Sequence, residues 1–211
     1  MKPVVKAAGV AGAAIAVLVG SAALNVRSSG SEEAALEAVA AAPSTSSLLR
    51  PVATAGSLDG TIAALQDRLR VLPEDWRGFA SLGLAYVAEA RATADPTWYP
   101  KAEGVLRESL RLHGEDNVEA LLGLGALELA RHDFEAALGH GEAARAVNAY
   151  DADVYGVIGD AQLELGRYGE AFATFQTMVD TRPDVASYAR VSYARELLGD
   201  VPGAVDAMAL A

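Results

Sequence analysis

The chain contains no cysteine, three histidines and two tryptophans, and aromatic residues make up only 6% of it. Without cysteine there is no disulfide framework, no thiol nucleophile and no thiolate-held metal. Basic residues are also scarce, 17 Lys and Arg against 28 Asp and Glu, which leaves a formal charge of −11 over 211 residues. A surface of that sign excludes dense phosphate neutralisation, so nucleic acid is not an expected partner. A polybasic membrane-surface domain is excluded by the same balance. Apolar residues nonetheless reach 52%, and alanine explains the gap between that figure and the few aromatics. Alanine fills about a fifth of the sequence, which suits helices packed closely against one another.

The N-terminus carries the longest uncharged stretch. Lys2 and Lys6 precede residues 7–26, which Arg27 closes. As a helix this stretch would span about 30 Å, one hydrocarbon core. Residues 1–26 are therefore expected to form a signal anchor, a transmembrane helix with the repeat domain on the extracytoplasmic side. The alternative is a signal peptide cleaved near the small residues 20–23, which gives a secreted protein. Residues 27–56 are rich in Ser, Pro, Gly and Ala and read as a flexible linker.

From residue 57 onward helical patterning is continuous, and it repeats. Leu124-Gly125 and Ile158-Gly159 lie 34 residues apart, and Leu82-Gly83 opens a similar stretch. Phe79, Leu121, Tyr155 and Tyr188 each stand three residues before Leu82, Leu124, Ile158 and Val191. A second helix in each unit begins with a small residue: Ala102, Ala137, Ala171 and Ala204. Glycine inside a helix costs about 1 kcal/mol relative to alanine, so Gly83, Gly125 and Gly159 mark places where helices cross closely. The same register assigns Gly123-Leu124-Gly125 to packing and not to a dinucleotide loop, since no strand precedes it.

This pattern resembles the tetratricopeptide repeat (TPR), most fully in residues 152–185. There Tyr155, Ile158, Gly159, Gly166, Tyr168, Ala171, Phe175 and Pro183 fall on the family's key positions. The resemblance implies an all-α fold, a right-handed solenoid of antiparallel helix pairs. Its expected divisions are a lone helix at 57–75, units at 76–117, 118–151 and 152–185, and a partial unit at 185–211. Prolines in the insertion at 90–100 are expected to lengthen the turn of the first unit. Within it, Trp98 and Tyr99 either pack onto the helix ends or form an aromatic contact for a partner. The chain stops inside a second helix, so a longer array or a covering subunit is expected at that end, or self-association through it.

The resemblance further implies a non-catalytic protein-interaction scaffold, bacterial and serving envelope protein assembly by its anchor-plus-repeats layout. Alternatives are a recruiting part of a longer enzyme-associated chain, and a self-assembling structural protein. No metal or cofactor is expected, because His113, His132 and His140 lack zinc spacing and no catalytic motif stands out. Family members bind peptides along the first helices, which places Arg77, Leu84, Glu119, Leu122, Asp153, Asp160, Glu164 and Tyr193 in the groove here. That surface is apolar at one end and acidic at the other. The expected partner is therefore a basic or amphipathic protein segment anchored on Leu84 and Leu122. The Lys/Asn clamp of chaperone-binding members is missing, with Ala80, Leu84, Leu122 and Ala126 at its positions.

Overall fold

The computed structural model describes residues 57–211, and the expected N-terminal anchor and linker lie outside them. The described residues form nine helices and no strand. Helix α1 is Leu58–Val71, α2 Trp76–Thr93, α3 Trp98–Leu112, α4 Val118–Ala130 and α5 Phe134–Val147. Then follow α6 Ala152–Glu164, α7 Tyr168–Thr181, α8 Val185–Leu197 and α9 Val201–Met208. Among the described residues no helix is long and apolar enough to cross a membrane.

Local chemistry sets the helix starts. Asp75, Asn117, Asp133, Asp151, Asp184 and Asp200 each accept a backbone N–H of the first turn that follows. These caps satisfy donors that a helix leaves unpaired, each contributing about 1 kcal/mol. Three turns inside pairs close alike: the amides of Asp133, Arg167 and Asp200 donate to the carbonyls of Glu128, Gln162 and Arg195. That closure requires a left-handed residue one position before the cap. Gly166 and Gly199 provide it at φ 76° and 78°, but His132 holds φ 62°.

The insertion departs from expectation. Helix α2 runs for 18 residues where α4, α6 and α8 have 13, so much of the insertion is helix and not turn. Pro100 does not prevent this, because it lies in the first turn of α3, where its missing N–H would have had no intrahelical partner. Trp98 and Tyr99 turn inward against the first core cluster. The Trp98 ring lies 5.4 Å from that of Tyr86, and the Tyr99 hydroxyl donates to the Ala130 carbonyl at 3.2 Å.

Each unit closes on its neighbours. Helices pack within the pairs α2/α3, α4/α5, α6/α7 and α8/α9, and α3, α5 and α7 each pack on the next first helix. Leu106 of α3, fully buried, fills space that a Cβ on Gly83 or Gly123 would occupy. One leucine thus locks two consecutive first helices, and burying it contributes about 1.5–3 kcal/mol. Phe175 of α7 stands likewise over Gly159 of α6. Between α3 and α4, Asn117, fully buried, donates to the Ser109 hydroxyl at 3.0 Å and the His113 carbonyl at 2.9 Å. Ser109 donates in turn to the Trp76 carbonyl at 2.7 Å, tying the ends of α2, α3 and α4 together.

Candidate functional site

The first helices line one side of the stack, and their spacing is uneven. Helix α2 packs on α4 and α4 on α6, whereas α6 and α8 meet chiefly through side chains. Arg190 bridges the two helices. Its guanidinium forms two hydrogen bonds to Asp160, both at 2.9 Å, and a third to the Ala186 carbonyl at 3.1 Å. Gly156 makes room for it, since a Cβ there would come within 3.3 Å of the guanidinium carbon. Only 4% of Arg190 is exposed, so a buried ion pair joins α6 and α8 beside the apolar clusters that both helices share with α7.

Beside that pair lies a cavity of about 480 Å³. Leu129 near the end of α4, His132 in the turn and Phe134 at the start of α5 form one wall. Asp160, Leu163 and Glu164 come from α6, where spacings of three and four residues put them on one face. Ala189, Tyr193 and Glu196 face them from α8 by the same periodicity, and Phe175 lies at the base. Arg91 reaches the cavity from the extra turn of α2. Burial holds the Arg91 guanidinium below its ordinary pKa; the Asp160 carboxylate partly offsets this, while Arg190 adds to the lowering.

The groove positions carried over from the repeat register separate into three groups. Asp160, Glu164 and Tyr193 come together at the cavity. Leu84 and Leu122 are interior, 7% and 2% exposed, and Leu122 packs with Val118, Val154, Val157 and Ile158. They are therefore not exposed anchors for a partner. Arg77, Glu119 and Asp153 lie away from the cavity. Arg77 is exposed over the Trp76 ring at 4.1 Å, Glu119 is exposed, and Asp153 pairs with Arg182.

Four cavity residues lie outside the repeat and groove positions read from the sequence: Arg91, His132, Arg190 and Ser192. His132 stands in the turn and Phe134 opens α5, their rings edge to face with centroids 5.5 Å apart. A histidine where the equivalent turns use glycine was the signal that could have drawn attention to this wall. Among the described residues no group of three or more His, Asp or Glu side chains is placed to hold a metal ion.

No protein-family model matches the chain, and neither does any curated protein. Solved structures do. MamA from Desulfovibrio magneticus RS-1, residues 41 to its end, aligns at 20% identity over 84% of this chain and 92% of that one, with a TM-score of 0.54. The thermophilic TPR protein TTC0263 of Thermus thermophilus aligns at 20% identity over 67% and 73%, with a TM-score of 0.59. A further MamA crystal structure aligns at 23% identity over 74% and 86%, with a TM-score of 0.52. The fold is TPR-like. Identities at this level extend to the path of the backbone and its helix pairs.

Proposed function

We propose that this chain is a non-catalytic scaffold that binds a segment of another protein on its first-helix face. The observation that carries the reading is the parting of α6 and α8, with a cavity lined by both helices beside it. A fold of this type has many uses, so the argument rests on the site. The reading places residues 1–26 as the membrane anchor, with the repeats outside the cytoplasm serving envelope protein assembly. Secretion after cleavage is the alternative location.

Photocrosslinking from membranes with the full chain tests it. Probes at Leu163 and Tyr193 are expected to capture one or more proteins in saturable fashion, and a probe at half-buried Glu142 of α5, outside the cavity lining, is not. Equal capture at all three positions removes the reading. A second reading, self-assembly, is favoured by exposed apolar side chains near the C-terminus: Val205 64%, Met208 47% and Leu210 66%. A mass that stays monomeric at rising concentration in light scattering removes that one.

A further inference from the structure

We propose that the cavity between α6 and α8 receives one cationic side chain, arginine or lysine, from a partner protein's segment, with an apolar neighbour of that residue seated on Leu163 and Phe134. This rests on the scaffold reading above and specifies the chemistry of its site. A volume of about 480 Å³ is that of a pocket for a long side chain and part of its neighbour. Its base and one wall are apolar, from Phe175, Leu129 and Phe134.

The charges on its rim decide the sign of the occupant. Asp160 is engaged in both hydrogen bonds from Arg190, so neither group of that pair is the recognition element. Glu164 and Glu196 are different. Both are exposed at the cavity and neither joins an ion pair among the described residues. They line the opening from opposite helices and outnumber Arg91, the one lining cation among the described residues outside the Asp160–Arg190 pair, so the rim is net acidic and favours a cation over an anion. Tyr193, 47% exposed on the same face of α8 as Glu196, adds a hydroxyl acceptor and a ring over which a cation can lie. The net charge of −11 steers a basic segment toward the molecule in the same sense.

The test uses the full chain in detergent and two fluorescein-labelled peptides, one alternating leucine with arginine, the other leucine with glutamate. Fluorescence anisotropy reads affinity, and amide NMR shifts locate the bound peptide. The arginine peptide is expected to bind and to shift amides of α6 and α8 around Leu163 and Tyr193. Glu164→Gln with Glu196→Gln is expected to weaken it about tenfold, as loss of two solvent-facing charge-assisted contacts would. Circular dichroism should be unchanged, because neither glutamate supports the fold. Glu115→Gln with Asp206→Asn removes the same charge at exposed positions away from the cavity and is expected to leave affinity unchanged.

Equal weakening by the two double variants would mean general attraction to an acidic protein and would overturn the proposal. Binding of the glutamate peptide at the cavity, or full affinity in the Glu164/Glu196 variant, would overturn the cationic occupant and leave the scaffold reading standing. Cavity amides that shift with protein concentration alone would make the occupant a second copy, and the proposal would fall. Should neither peptide move a cavity amide, the proposal falls, and the crosslinking result judges the scaffold reading separately.

Discussion

Arg190 and Asp160, 30 positions apart in the chain, form a two-point ion pair that joins α6 to α8, with both N–O distances at 2.9 Å. The Arg190 side chain is 5% exposed and that of Asp160 20%, so neither charge can recover full hydration if its partner is removed. Arg91 stands close enough for Asp160 to favour its charge and for Arg190 to oppose it. Asp160→Ala would therefore take the two-point carboxylate partner from a buried guanidinium, and it is expected to destabilise by about 3 kcal/mol. Replacing both partners, Asp160→Leu with Arg190→Met, is expected to stay within about 1 kcal/mol of the parent. Urea unfolding checks the magnitudes, and hydrogen exchange should show protection lost first in α8 and α9. A double variant as unstable as Asp160→Ala would argue against this account.

Two glycines give opposite expectations for one substitution. Gly139 of α5 is exposed, and a Cβ there would have no neighbour within 4 Å. Gly139→Ala should stabilise by about 0.5–1 kcal/mol, mostly by restricting the unfolded chain. At Gly159 the added Cβ would overlap the Phe175 ring, which is 1% exposed. Gly159→Ala should destabilise by about 1–3 kcal/mol despite the gain in helix propensity. Combining it with Phe175→Leu should restore part of that loss, visible as coupling in a double-mutant cycle.

The caps of α6 and α8 respond to pH in opposite senses. Burial pushes the Asp151 carboxyl above its ordinary pKa, the Asp153 amide opposes this, and the Asp153 and Glu119 charges add to it. A raised carboxyl favours the folded state while protonated, and that contribution is lost as pH rises through its folded value. Asn can also cap, so Asp151→Asn should be more stable than the parent near neutral pH and equal to it below about pH 3. For Asp184, burial acts upward, but the Ser187 amide and the Arg182 guanidinium together hold its carboxyl below the ordinary value. Its contribution is present above the unfolded value, about pH 4, and is lost as pH falls. Asp184→Asn should therefore be less stable near neutral pH, with the difference closing in acid. Thermal melts across the acid range check both signs, and parallel profiles for the two variants would contradict them.

Much of the helix packing was legible because it depends on residue size at helical spacing. Ala102, Ala137 and Ala171 are all fully buried, as small residues at a close crossing must be. Gly166 supplies the positive φ that the turn before α7 requires. Leu84 and Leu122 were placed on the right helices but assigned to the wrong surroundings. Periodicity tells which residues share a face, yet the face of a first helix meets both its neighbours and the groove. The insertion was misjudged for a related reason: proline stops a helix only where its N–H is needed, and Pro100 falls in a first turn.

What the sequence by itself determined is the order of elements and the small residues where helices cross. Those follow from local chemistry, cap oxygens and a 3.6-residue period that acts within a few turns. What only the tertiary structure decided is the cavity and the state of its charges. Asp160 reads as one more acidic groove residue until Arg190 is seen to engage it, and Arg91 belongs to the site only because an insertion became helix. Ion pairs between units join positions that no local period links. Which carboxylates remain open, Glu164 and Glu196, is settled by how far apart α6 and α8 come to rest.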